Sequence, residues 1–184
     1  FGQQGAFGEP EQVNVFFPSD ECEPEPDTNH VFIDIAKDKN NHLVVINDDQ
    51  QPVEYADDIG PENDKRRAVA PLDFYINFGI TDNYLGWPCN EPKTMKVCVE
   101  FYDDPLNEGA LFGPGSFATD PDGGVAYVDP EKLFVLEGTG QWIRRSWVLQ
   151  RVNLFGLDTA PLTGGPLFAS DGEPVYISRV DLAL

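Results

Sequence analysis

Phe74-Tyr75-Ile76-Asn77-Phe78-Gly79-Ile80 is the stretch on which the fold turns. Its large apolar side chains fall on every second residue, with Tyr75 and Asn77 between them, and a period of two marks a strand that buries one face. Met95, Val97, Val99 and Phe101 repeat the pattern and place Cys98 and Glu100 on the other side. Working outward, Val13, Val15 and Phe17 alternate, as do Val31, Ile33 and Ile35. Shorter or mixed strands are expected over 42–46, 133–136, 142–152 and 175–184. Between them lie loops: an acidic one over 18–29, a long polar one over 47–67, and turn-rich segments over 81–93, 109–124 and 154–173. Gly 17 and Pro 16 recur throughout, a density of breakers that short strands tolerate and long helices do not. The expected fold is all-β, an antiparallel two-sheet β-sandwich of the jelly-roll kind.

The 184 residues suit one well-packed core, and with no linker in sight the chain reads as a single domain over 1–184. Asp+Glu 32 against Lys+Arg 12 leaves a net charge of −20. That surface repels a phosphate backbone, so nucleic acid is an unsuitable partner, and so is an anionic membrane. No apolar run reaches the ~20 residues a membrane-spanning helix needs. The opening Phe1-Gly2-Gln3-Gln4-Gly5 reads as a processed beginning of a secreted chain. Cys22, Cys89 and Cys98 allow one intrachain disulfide and leave one thiol over, with Cys89–Cys98 the preferred pair. No spacing of Cys and His suggests zinc.

The last third reads Gly138-Thr139-Gly140-Gln141-Trp142, then Ser146-Trp147-Val148-Leu149, Gly165-Pro166-Leu167-Phe168, and Val175-Tyr176-Ile177-Ser178-Arg179-Val180-Asp181-Leu182. This succession resembles the closing segment of the jelly-roll carbohydrate-binding modules appended to glycoside hydrolases. Leu72-Asp73-Phe74-Tyr75-Ile76-Asn77-Phe78 and Val97-Cys98-Val99-Glu100-Phe101-Tyr102-Asp103-Asp104 resemble their central pair of strands. The resemblance covers 70–184 and leaves 1–69 as N-terminal strands and acidic loops; Pro166-Leu167-Phe168 stands where those modules carry an acidic residue before the Phe. It implies a sandwich that binds a polysaccharide or oligosaccharide without catalysis, beside the catalytic domain of the same or an associated protein. It also implies a structural Ca²⁺ near the first and last strands, with Asp181 matching the acidic ligand of the last.

Sugar sites combine aromatic faces, which stack on pyranose C–H groups, with polar side chains that bond hydroxyls. Asp82-Asn83-Tyr84-Leu85-Gly86-Trp87-Pro88 supplies both in one loop. Trp87 there reads either as a stacking platform or as a plug at the end of the sandwich. Trp142 and Trp147 are an odd number of residues apart and so face opposite ways. Trp147 shares its side with Ile143 and Leu149 and is expected in the core. Trp142 shares a mixed side with Arg144 and Ser146, and Trp142 and Arg144 are candidates to line a ligand-binding groove. For Arg144 and Arg145, an ion pair with a carboxylate on a neighbouring strand is the stronger reading. Asp120-Pro121-Asp122-Gly123-Gly124 is an oxygen-rich turn that makes Asp120 and Asp122 further candidate calcium ligands. His30 alternates with Phe32 and reads as a structural histidine. No nucleophile elbow, zinc-protease helix or phosphate loop occurs. The alternatives to a binding module are a jelly-roll polysaccharide lyase or glycoside hydrolase, and a purely structural accessory sandwich.

Overall fold

Alternation of apolar residues does produce strands, in the order the chain presents them. A computed structural model describes residues 30–47, 52–72, 75–81, 93–114, 133–152, 162–163, 166–170 and 173–183. The strands are β1 (His30–Asp34), β2 (Lys39–Asn41), β3 (Leu43–Ile46), β4 (Val53–Ile59), β5 (Arg66–Pro71), β6 (Tyr75–Thr81) and β7 (Lys93–Asp103). They continue with β8 (Leu111–Pro114), β9 (Phe134–Val135), β10 (Gln141–Val152), β11 (Leu162–Thr163), β12 (Pro166–Ser170) and β13 (Ile177–Ala183). The only helical turn among the described residues is a 3-10 turn at Pro105–Asn107, entered through Asp104, whose side chain accepts from the Leu106 amide at 2.9 Å.

Two sheets form. The seven-stranded sheet A runs β10-β7-β13-β1-β2, with β5 joining β13 and β4 joining β5; the six-stranded sheet B runs β11-β6-β12-β8-β9, with β3 also pairing β6. Every ladder between these strands is antiparallel. The fold is therefore the expected antiparallel two-sheet jelly-roll sandwich.

The core lies between the sheets. Val31, Met95, Val97, Val99, Phe101, Trp147, Val180 and Leu182 come from sheet A, and Leu43, Ile76, Phe78 and Phe112 from sheet B. Aromatic rings bridge the layers: Phe101 and Phe112 have centroids 4.6 Å apart, and Phe134 lies 5.9 Å from Trp147. Trp147 is buried, as its side of the strand requires, whereas Trp142 on the opposite side is only half-buried.

Three expectations change. The polar stretch over 47–67 is mostly a hairpin, β4 and β5, in register from Val53↔Pro71 to Ile59↔Arg66 with an irregularity after Ala56. The segments over 109–124 and 154–173 contain β8, and β11 with β12, where proline and glycine had suggested turns only. Among the described residues no carboxylate pairs with Arg145; it points to the core side opposite Val99, with its guanidinium 5.3 Å from the Phe134 ring. Its Nε is buried and unbonded. The alternating segment over 13–17 and the acidic loop over 18–29 lie outside the described residues. Cys98 is disulfide-bonded; Cys22 and Cys89 lie outside the described residues.

The Gly138-Thr139-Gly140 loop leading into β10 is tied down by Asp103, at the end of the neighbouring β7. The buried Asp103 carboxylate accepts from the Gly138 amide at 3.1 Å, the Thr139 amide at 2.9 Å and the Thr139 hydroxyl at 2.8 Å. One acid so satisfies donors that the loop would otherwise leave unpaired.

Candidate functional site

The outer sides of the two sheets differ in kind. On sheet A, register places His30, Phe32, Asp34, Arg179, Asp181 and Arg144 on the side away from the core. Arg179 is the hub. Its Nε and Nη2 donate to the two oxygens of Asp181 at 2.7 Å each, and its Nη1 donates to Asp34 at 3.1 Å. Asp181 also meets His30 Nε2 at 3.0 Å and, more distantly, Arg144 at 3.9 Å. Asp34 takes the Lys37 ammonium at 2.9 Å and the Lys37 amide at 3.0 Å. The His30 ring stacks 5.6 Å from Phe32, and the Arg179 guanidinium lies 5.0 Å over the same ring. The network stitches β1 to β13 across the sheet.

These contacts set the local electrostatics. Burial by itself would raise the Asp34 carboxyl, but Lys37, through side chain and amide, together with Arg179 outweighs it and holds the group below its ordinary value. The Asp181 hydrogen bond, against the opposing effect of burial, pushes Arg179 further up. His30 is thus the satisfied structural histidine its strand position implied. Arg144 forms its ion pair two strands away, on β13, rather than with its nearest neighbour on β7.

Trp142 has a defined structural job. Its Nε1 donates to the Asp64 carbonyl at 2.9 Å, its ring lies 4.9 Å under the Arg66 guanidinium, and Tyr102 packs 5.6 Å away. Arg66 is fixed in turn by Asp64, at 2.8 and 2.7 Å, and by Glu100 at 2.9 Å. The turn between β4 and β5 is thereby pinned onto β10. Gly60 sits there at φ +106°, and a Cβ on it would run into the Trp142 indole and the Asp64 carbonyl.

Sheet B carries none of this charge. Every lysine and arginine among the described residues lies on sheet A strands or the hairpin turns joining them, whereas the six strands of sheet B contain no Asp, Glu, Lys or Arg. An antiparallel sheet with a solvated side ordinarily alternates apolar-in with polar-out. Outer positions of sheet B include Val44, Ile46, Leu111 and Val135, registered against Gly79, Asn77 and one another, and on β6 positions 75 (Tyr) and 81 (Thr) alternate on the same side. Leu111 is 37% exposed and Val135 56%. Asn77 lies between the core residues Ile76 and Phe78, so its side chain takes the outer side; it is 7% exposed, and its Oδ1 accepts no hydrogen bond.

Of the residues singled out from the sequence, Trp142, Arg144 and Asp181 share the outer side of sheet A. Asp82, Asn83, Tyr84 and Trp87, and the turn with Asp120 and Asp122, lie outside the described residues. Among the described residues no group of three or more His, Cys, Asp or Glu is placed to hold a metal ion. Both Asp181 oxygens already accept from Arg179. Sequence reasoning missed the uncharged sheet B face, although its strands display the signal directly once assigned.

No protein-family model matches the sequence, and comparison with curated proteins finds no match. Solved structures similar to the chain include a carbohydrate-binding module (CBM6cm-2) from Cellvibrio mixtus lichenase 5A in complex with cellotriose. Identity is 8%, the TM-score 0.41, and the match covers 83% of this chain and 98% of that one. Another is the K1 cleaved adhesin domain of Lys-gingipain from Porphyromonas gingivalis W83, at 11% identity and TM-score 0.41, covering 83% of this chain and 96% of that one.

Proposed function

We propose that this chain is a non-catalytic carbohydrate-binding module that brings a polysaccharide to an attached or partner carbohydrate-active enzyme. The observation that carries the reading is the division of charge: locked into pairs over sheet A, absent from the strands of sheet B. A glycan offers hydroxyls and apolar C–H faces, and a surface of aliphatic side chains with a few fixed polar atoms suits it without the cost of stripping water from ions. Tyr84 and Trp87, in the sequence stretch Asp82–Pro88, are of the residue types that stack on sugar rings and support the same reading. An extracellular location follows from a polysaccharide ligand. Calcium stabilisation is part of the proposal and rests on the acidic excess and the Asp120–Asp122 turn.

Electrophoresis through gels containing neutral or acidic polysaccharides tests the function. Retardation by at least one polysaccharide with no release of reducing ends is the expected result. Release of reducing ends or of unsaturated products would make the chain an enzyme, and free migration in every gel would leave the structural accessory domain.

A further inference from the structure

A guanidinium on the core side of a strand gives up water that only a partner can replace. Arg145 holds such a position on β10, on the same side as Ile143 and Trp147 and opposite Val99. The residue is half-buried. Of its guanidinium nitrogens only Nε is enclosed without a hydrogen bond, which leaves the two Nη nitrogens as the reachable donors. The Phe134 ring packs 5.3 Å away, and no carboxylate among the described residues meets the group, in a chain with Asp+Glu 32.

The place of Arg145 in the fold is open. β10 ends the strand order of sheet A and β9 ends that of sheet B, so Arg145 and Phe134 lie where the margins of the two sheets meet. The exposed Val135 follows Phe134 on β9, and its partner on β8 is the exposed Leu111. Charge at this margin runs against the rest of the chain. β10 contains three arginines and no acid, and the adjoining β7 adds two lysines against one Glu and one Asp.

We infer that this margin takes a glycan whose otherwise neutral chain carries isolated carboxylates, as uronic acid residues do, and that the Arg145 guanidinium pairs with one of them. The inference rests on the carbohydrate-binding reading and gives it a ligand class and a residue. A planar guanidinium meets a carboxylate with two parallel N–H···O bonds, so the ligand supplies the anion that the chain withholds. A net charge of −20 repels a densely charged polyanion at long range. The fit is therefore to sparse carboxylates on a neutral backbone, whose apolar C–H faces suit Leu111 and Val135.

The probes are a neutral-backbone polysaccharide bearing isolated uronic acid side groups, and the same polysaccharide after carbodiimide and borohydride reduction of its carboxyls. A Glu-rich peptide represents an acidic protein partner. Each is titrated calorimetrically against wild type, Arg145→Met and Arg145→Lys, in low and in half-molar salt, with thermal melts to confirm folding. Wild type is expected to bind the acidic form about tenfold tighter than the reduced form in low salt, the size of a charge-assisted hydrogen-bonded contact. Half-molar salt should shrink that difference. Arg145→Met, which keeps an apolar stem beside Phe134, should bind both forms alike. Arg145→Lys keeps the charge without the fork and should retain only part of the preference; it decides the matter if Arg145→Met does not fold. Equal wild-type affinity for the two forms, or an undiminished preference in the folded variants, would overturn the assignment while leaving the carbohydrate reading intact. Binding of the peptide that Arg145→Met abolishes, with no preference between the glycans, would overturn the ligand class in favour of an acidic protein. No binding to either polysaccharide would remove the functional reading itself.

Discussion

Replacing Asp181 by Ala tests whether the ion network on sheet A holds the sandwich together. The side chain is 8% exposed, and it accepts two 2.7 Å bonds from a guanidinium that is itself 18% exposed. Its loss would leave His30 without its partner and Arg179 with Asp34 alone, at 3.1 Å. Breaking a buried pair by removing one member costs about 3–5 kcal/mol. Arg179 keeps a second carboxylate and some access to water, so the lower end, about 3 kcal/mol, applies here. A domain of this size loses about 2–4 °C of melting temperature per kcal/mol, hence about 6–12 °C. Urea unfolding at neutral pH measures the change directly. The double variant Asp181→Leu/Arg179→Met should recover most of it, because apolar replacement of a whole buried pair is near neutral or stabilising. A loss below about 1 kcal/mol in Asp181→Ala, the range of an exposed pair, would refute the network as a structural tie.

Four further outcomes are expected. Asp34 titrates below its ordinary value, so its contribution to stability is complete above the unfolded-state value of about 4 and fades as pH falls through its folded value. Acid unfolding followed below about pH 4 should show a shallower dependence in Asp34→Asn, and an identical slope would count against the assignment. Gly60→Ala drives a Cβ into the Trp142 indole and should cost roughly 1–3 kcal/mol by thermal or urea unfolding, whereas wild-type stability would mean that the hairpin is not pinned there. Trp142→Phe removes the bond to the Asp64 carbonyl and should cost about 1 kcal/mol of stability with glycan affinity unchanged; a large loss of affinity would place ligand on sheet A instead. Millimolar calcium should raise the melting temperature over that in chelator, since a ligand at 100 times its dissociation constant adds about 2.7 kcal/mol; equal melts would remove calcium from the proposal.

Strands whose one side meets the core were legible in the sequence. β1, β6 and β7 carry apolar residues at period two, and the odd spacing of Trp142 and Trp147 correctly assigned them to opposite sides. The β4–β5 hairpin was not legible. Ala68, Val69 and Ala70 are buried consecutively, so β5 shows no alternation, while β4 is acidic and leaves Tyr55 46% exposed. β8 and β12 contain Gly113-Pro114 and Pro166, which read locally as turn signals although their neighbours pair in register. The ion network joins Asp34 to Arg179 across 145 positions, a distance no local pattern spans. Arg179 and Asp181, two apart on one strand, hinted at their own pairing only. The uncharged face was hidden for a different reason. An overall charge of −20 draws attention to where acids lie, and the absence of charge becomes a pattern only after the strands are sorted into sheets.

The division between the two faces is tested most directly by placing one new carboxylate on each and measuring affinity for the retained polysaccharide. Val135→Glu places the charge at an exposed outer position of sheet B, and Lys39→Glu places it at an exposed position of β2 on sheet A. Exposed substitutions of this kind usually move stability by no more than about 0.5 kcal/mol, so binding can be read without interference from folding. The account predicts that Val135→Glu weakens binding while Lys39→Glu binds as wild type. Loss of affinity in Lys39→Glu with full retention in Val135→Glu would contradict it.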